Sequence, residues 1–380
     1  MSPADLRPEA KGWCPGAYRP MMSGDGLVVR VRPVLGRVTR EQALGIARLS
    51  LQFGSGVIDL TSRANLQIRG VREDDHEALL AALNQLELLP DDPALEARRN
   101  ILLPHDWTEG DDSHLIATEL LERLHDFPVV PAKFGLAIDA GGQPILRQSS
   151  ADIRIERSAE GLILRADGAA LGRFVTADTA VDAMIELAEW FAQNANAEAR
   201  RMKTVLRQTQ LPETFTQVAP LAARKRARPG PCGADQMLGA LFGQIDAQAL
   251  SDLIEASGAT ALRTTPWRLF VLEDAAPVKT DDFITDPADP RLSIDACPGT
   301  QGCKSASVDT RSLARMLAGR TTKRLHISGC TKGCARARTS DLTLVGHDGA
   351  FDLVQDGHAW DAPALSGLSP DDLKTRIGEF

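Results

Sequence analysis

Two stretches of this chain, one opening at Gly36 and the other at Gly243, share a layout, and a duplication constrains a fold more than any local motif does. The first reads GRVTREQALGIARLSLQFGSGVIDLTSRANLQIRGV and the second GQIDAQALSDLIEASGATALRTTPWRLFVLED. Each begins Gly-x-(Val/Ile) and then offers a helix cap, Thr39 with Gln42 as a capping box and Asp246 in the second copy. A helix should follow; in the second copy Ala247, Leu250, Leu253 and Ile254 fall on one face. A Gly turn then leads to a strand with a Thr-Ser or Thr-Thr step, at Thr61-Ser62 and Thr264-Thr265, continued by apolar alternation at Leu66, Ile68, Leu269 and Val271. The competing explanation is that βαβ-type units look alike by chance.

Each copy is followed by a larger segment. After the first come short strands and Gly turns, then a long amphipathic helix in DTAVDAMIELAEWFAQNANAEARRMKTVLRQT, with Val181, Met184, Ile185, Ala188 and Phe191 inward. PLAARKRARPGPCGADQ has the Pro, Gly and charge of a linker, and its Arg224, Lys225, Arg226 and Arg228 read as a solvated run. After the second copy come a cysteine-bearing segment and the strands DLTLVGHD and AFDLVQDG. The organisation is small, large, small, large: an α+β fold with a pseudo-two-fold duplication. The expected boundaries are 15–75, 90–215, a linker at 216–235, 236–285 and 290–380.

Of the six cysteines, Cys297, Cys303, Cys330 and Cys334 fall in the last of these segments, spaced C-x5-C and C-x3-C with 26 residues between the pairs. With 43% hydrophobic and 25% charged residues and a net charge of −8, the composition is that of a globular protein without a bias toward nucleic acid. The start lacks the apolar core of a signal peptide, and no apolar run is long enough to span a bilayer. A cytoplasmic setting is therefore expected, in which thiols stay reduced and clustered cysteines point to metal before disulfides. The first spacing is wide for a zinc knuckle and His326 is awkward as a ligand, so an iron–sulfur cluster leads, with zinc and buried structural thiols as alternatives. Gly299, Gly302, Gly329 and Gly333 suit a backbone that bends around a bulky cluster. Cys14 and Cys232 lie apart and read as small structural thiols.

The cysteine pattern, the doubled unit and DLTSRANLQIRG together resemble the sulfite/nitrite reductase haemoprotein family. KGWCPGAYRPMMSGDGLVVRVRP and VVPAKFGLAID are similar to its oxygen-dependent precorrin branch. The resemblance implies a ferredoxin-like half-domain plus a larger reductase-type α+β domain, repeated. It implies a 4Fe-4S cluster on Cys297, Cys303, Cys330 and Cys334, with Cys334 where reductases bridge the cluster to sirohaem iron. It also implies a basic pocket for tetrapyrrole carboxylates at Arg30, Arg63, Arg99, Asn100 and Lys133. Such groups suit arginine forks and lysine point charges. Gly135 stands where reductases carry a second anion-binding lysine, which weakens the case for sulfite or nitrite as substrate.

For the precorrin branch the implied substrates are precorrin-3A and O2, and the reaction a C20 hydroxylation with lactone closure. A mononuclear non-haem iron is implied too, but no histidine spacing reveals its ligands, and no catalytic residue is legible. No dinucleotide-binding Gly-rich loop is present, so electrons would come from a separate reductase or ferredoxin, with NADH as ultimate donor. A sirohaem-dependent sulfite or nitrite reductase and a non-enzymatic iron–sulfur or zinc protein are the other readings. Arg32 and Arg72 each read as surface residues, and His105-Asp106 and His347-Asp348 as surface or structural pairs. Arg63 and Lys133 stand inside apolar, strand-like segments, and the second copy has Pro266 where the first has Arg63.

Overall fold

Residues 15–380 are described in a computed structural model; Cys14 and the residues before it lie outside that range. Four sheets carry the fold. The first runs Met21–Met22, Leu27–Val31, Leu66–Val71, Val57–Leu60 and then Gln244–Asp246. The third runs Gly230–Cys232, Asp235–Ala240, Leu269–Glu273, Ala261–Thr264 and then Arg37–Thr39, with Phe283–Ile284 also on Asp235–Ala240. Gln244–Asp246 in the first sheet and Arg37–Thr39 in the third each belong by sequence to the other copy. The copies have exchanged strands: Ile245 faces Ile58 and Val38 faces Leu262, both antiparallel.

The Gly-x-(Val/Ile) signature is the crossover itself. Leu35 and Phe242 adopt φ of 53° and 57°, and the glycines after them, Gly36 and Gly243, φ of 72° and 79°. Two successive left-handed residues turn the chain out of its own sheet, and glycine takes the second at no steric cost. Val38 and Ile245 are each 1% exposed, and burying such a side chain contributes about 1.5–3 kcal/mol. Ile46, Ile58 and Ile68 share one core with Leu250, Leu262 and Phe270, so the small units are a single body.

The expected caps are present. Thr39 and Gln42 form a reciprocal capping box at the start of Arg40–Phe53, and Asp246 accepts from Ala249 N at the start of Ala247–Ser257. The buried face of the second helix includes Ala247, Leu250, Leu253 and Ile254. The larger segments repeat each other as well. Ile101–Leu102, Leu136–Asp139, Ile153–Arg157, Leu162–Ala166 and Arg173–Val175 join by two parallel and then two antiparallel pairings. Ile294–Ala296, Leu325–Ser328, Ser340–His347, Ala350–Gly357 and Leu365–Leu368 join in the same sequence of pairings.

Local readings fail where a side chain or a turn overrides the pattern. The long helix ends at Asn194, because Asn196 Oδ1 takes the N–H groups of Glu198 and Ala199 and turns the chain; a short helix, Met202–Val205, follows. Ile185 is only half-buried, while Val181, Met184, Ala188 and Phe191 are buried. The segment 216–235 is not a free linker: Leu221 N and Arg224 N bond the carbonyls of Arg157 and Pro144, and Gly230–Cys232 is a strand. DLTSRANLQIRG is two strands with a turn between them, closed by Thr61 N on Asn65 O at 2.9 Å, so Arg63 sits on the turn. Among the described residues no helix is long and apolar enough to cross a membrane.

Candidate functional site

Cys297 follows strand Ile294–Ala296 and Cys330 follows Leu325–Ser328, which are parallel neighbours with Ala296 opposite Ile327. Adjacent parallel strands deliver both thiols to one sheet end, and the loops beyond bring Cys303 and Cys334. Gly329 N donates to Cys297 Sγ at 3.1 Å, and Thr310 Oγ1 donates to the Cys297 carbonyl at 2.5 Å. The glycines leave no room for side chains. A Cβ on Gly299, where φ is 64°, would lie 2.8 Å from Thr310 N, and one on Gly329 only 2.5 Å from Ala306 Cβ.

Cys297 is buried, Cys303 and Cys330 are half-buried, and Cys334 stands at the exposed rim with protein crowding it on the inner side. Desolvation, followed by the charges of Cys297, Cys330 and Cys303, pushes the Cys334 thiol up to about 11; desolvation leads the upward push on Cys330 too. Thiols pushed up in this way, as at Cys330 and Cys334, need a cation to become thiolates. Among the described residues no three His, Cys, Asp or Glu side chains gather closely enough for a single metal ion. That does not fit a zinc knuckle or the mononuclear iron that the resemblance implies. A four-iron cube, with one thiolate per corner, holds its ligands wider apart, and the donor set fits it.

Two ion networks brace these loops, and the apolar pattern of the strands did not reveal them. Asp59 accepts from Arg69 Nη1 at 2.9 Å and from Arg311 Nη2 at 3.0 Å. Arg69 also holds Asp25 and the Gly302 carbonyl, beside Cys303, at 2.8 Å. Ser23 Oγ reaches the same carbonyl at 2.6 Å, and a Cβ on Gly24 would strike Cys303 N. A hairpin of the first small unit therefore presses on the cysteine loop. On the other side Asp295 receives Arg268, Arg324 and Arg336 at 2.8–3.2 Å. Burial works against the Asp295 charge, yet the three guanidiniums hold its carboxyl below the usual range. Arg268 Nη2 donates to Ala335 O, next to Cys334, at 2.7 Å. His326, beside Asp295, is wholly buried, and desolvation keeps it neutral with a pKa near 4.

The basic residues come together in part. Arg63 Nη2 donates to Lys133 O at 2.9 Å, and Asn100 Nδ2 donates to Ala132 O at 3.1 Å, which gathers the three around one turn. Lys133 is in that turn and not in a strand: Phe134 N closes it on Pro131 O. Asn100 Oδ1 is buried without a partner. Arg30 is separately held, its Nε and Nη2 donating to the Gln67 amide oxygen at 3.2 and 2.9 Å, while its buried Nη1 has no partner. Arg99 Nη2 donates to Arg32 O at 3.0 Å, and burial lowers its pKa. Arg32 is not a surface residue; it is buried in an ion pair with Glu96, whereas Arg72 is exposed. Thr265 N closes on Leu269 O and Arg268 has φ of 63°, as Thr61 N closes on Asn65 O and Ala64 has φ of 54°. Trp267, rather than Pro266, therefore occupies the place of Arg63.

Residues 19–86 match the nitrite/sulfite reductase ferredoxin-like half domain. The chain is 32% identical to a precorrin-3B synthase of a Sinorhizobium species, over 93% of this chain and 84% of that one. It is 22% identical to the ferredoxin–nitrite reductase of Synechococcus elongatus, over 91% and 81%. Among solved structures it shares its fold with the NirA protein of Mycobacterium tuberculosis, with a TM-score of 0.69 over 92% of this chain and 79% of that one, at 18% identity.

Proposed function

The chain belongs to the precorrin-3B synthase family, and on that premise we propose that it hydroxylates precorrin-3A at C20 and closes the ring A acetate into a lactone, in aerobic cobalamin biosynthesis. One atom of O2 enters the product and the other leaves as water, with two electrons and two protons. A ferredoxin or a separate reductase would bring the electrons, with NADH as ultimate donor.

The observation that carries this reading is the convergence of Arg63, Lys133 and Asn100 on one turn, within a chain related over nearly its whole length to a precorrin-3B synthase. A cationic pair beside an orphaned amide oxygen suits a ligand that brings carboxylates and a ring N–H or hydroxyl. Arg30, whose buried Nη1 lacks a partner, and Arg99 extend the set along the first sheet. Their work is to bind and orient the macrocycle over Cys334. Cys297, Cys303, Cys330 and Cys334 would hold a 4Fe-4S cluster, which would supply single electrons there. Gly329 N–H directs a hydrogen bond at the Cys297 sulfur, and such bonds favour the thiolate.

Gly135 supports this reading over sulfite or nitrite reduction. A Cβ there would lie 3.2 Å from Ser150 O and 3.5 Å from Ala151 Cα, so a second lysine would need the adjacent backbone to give by a few tenths of an ångström. The test is turnover of precorrin-3A with reduced ferredoxin, mixed anaerobically, begun by adding O2 and followed by mass spectrometry. A product heavier by one oxygen, labelled from 18O2, is the expected result. Sirohaem bands in the purified protein together with sulfite consumption would overturn it.

A further inference from the structure

We propose that Arg226 and Arg338 form a second carboxylate clamp, linked through the Gln148–Ser150 loop to Arg63 and Lys133, taking an acidic side chain of the macrocycle; the proposal rests on the tetrapyrrole reading above. Arg338 lies four residues beyond Cys334, and Arg226 lies in the segment that joins the two copies. Both guanidiniums reach one exposed glutamine. Arg338 Nη1 donates to Gln148 Oε1 at 2.5 Å and its Nη2 to the Gln148 carbonyl, while Arg226 Nη2 donates to the same Oε1 at 3.2 Å.

Two cations on one neutral oxygen repel each other, and the surroundings add to the repulsion. Arg324, Arg336 and Arg268 already bond Asp295, which acts on the pair only at longer range. Among the described residues neither Arg226 nor Arg338 has a carboxylate partner, in a chain with 51 acidic residues. Partial desolvation first, and then the neighbouring arginines, lowers the pKa of each against the pull of Asp295, although both residues keep an exposed face. An external carboxylate would relieve this. Gln148 Oε1 stands where one carboxylate oxygen would sit, and the side chain is exposed and free to swing away.

The position selects the ligand. Gln148 lies two residues before Ser150, whose carbonyl borders Gly135, and Gly135 borders Arg63 Nη1. The Arg338–Gln148 bonds therefore tie the loop of Cys334 to the loop that floors the Arg63–Lys133 turn. A ligand with carboxylates around its periphery can engage both clusters at once. An acidic protein docking on the outside would not need the seam.

The test uses the full chain, purified anaerobically with its cluster, and two probes: uroporphyrin, with eight carboxylates, and coproporphyrin, with four. Binding is read by tryptophan quenching across a salt series. Arg226→Gln and Arg338→Gln should each weaken uroporphyrin about ten- to a hundredfold, the span of a charge-assisted hydrogen-bonded contact. Coproporphyrin should lose less, and Arg338→Lys should recover the salt dependence without the full affinity. Circular dichroism and iron content should match wild type, because both side chains are exposed. Wild-type affinity for uroporphyrin in both glutamine variants, with Lys133→Ala weakened, would overturn the clamp and leave the tetrapyrrole reading standing. Lost affinity for an acidic ferredoxin with normal porphyrin binding would overturn it in favour of a donor-docking surface. Failure of the wild type to bind either porphyrin would overturn both readings.

Discussion

Replacing Asp59 with alanine removes the carboxylate that answers both Arg69 and Arg311. Arg69 keeps Asp25, to which its Nε and Nη2 donate at 2.9 and 2.8 Å. Arg311 keeps nothing comparable: among the described residues Asp59 is its carboxylate partner, its Nε has no hydrogen-bond partner, and its side chain is only 6% exposed. A buried charge stripped of its partner costs about 3–5 kcal/mol. That is a large share of the about 5–15 kcal/mol that keeps a domain folded.

The loss should appear first at the cysteine loops. Arg311 is the second residue of helix Thr310–Leu317, whose first residue donates to the Cys297 carbonyl, and Arg69 holds the Gly302 carbonyl. The assay is urea unfolding of anaerobically purified protein, followed by tryptophan fluorescence and cluster absorbance on one sample. Asp59→Ala should unfold at lower urea, with absorbance lost ahead of fluorescence. Asp59→Ala with Arg311→Leu should regain much of the difference, because no buried charge is then left alone. Arg123→Ala, which dissolves an exposed fan to Glu119, Asp126 and Asp182, should leave the midpoint in place. A double variant as unstable as the single one would refute the reasoning, as would an unmoved midpoint in Asp59→Ala.

Cys303→Ser should lose iron and sulfide together, since three thiolates hold a cube poorly; full content after anaerobic isolation would remove Cys303 from the ligand set. Arg63→Lys should cost about 1–3 kcal/mol of porphyrin affinity, because it keeps the charge and loses the fork; a lowered melting temperature with normal affinity would make Arg63 part of the scaffold. Burial pushes the Asp139 carboxyl up to about 6, against the hydrogen bonds from Leu146 N and Ile145 N. The folded state thus holds this proton more tightly than the unfolded chain, so its stabilisation is full below about pH 4 and is lost as pH rises through 6. Asp139→Asn should therefore gain on wild type by about 3 kcal/mol between pH 4 and 7; a constant difference across that range would show that Asp139 does not titrate there.

What local pattern can specify was legible. The capping residues, the helix faces at Ala247, Leu250, Leu253 and Ile254, and the four cysteines on loops depend on neighbours in sequence. The strand exchange was not, because Arg37–Thr39 and Gln244–Asp246 are three residues long and a two-residue period names a face but no partner. The same limit hid Asp59, Arg69 and Arg311: alternation places Asp59 opposite the apolar face without saying that a helix from the other end of the chain meets it. Arg63 was misplaced because its turn bends at Ala64, a residue that carries no turn signal, while Thr61 Oγ1 takes the N–H groups of Arg63 and Asn65.

The duplication explains how the two copies come to differ. Both turns have the same closing bond and the same left-handed residue, so the backbone offers one side-chain position twice. The first copy uses it for Arg63, which reaches Lys133. The second fills it with Trp267, which lies edge-on to His105 at 6.0 Å and packs against Ala64 and Leu146 of the first half. An indole there closes the pseudo-symmetric position with apolar contact and leaves no cation for a second carboxylate ligand. The next residue, Arg268, turns the other way and braces Asp295 and Ala335, on either side of the cysteine loops. Because each copy completes the other's sheet, neither can be cut away, and the two specialise in place: one turn gathers Arg63 and Lys133 and its twin holds the loop of Cys334.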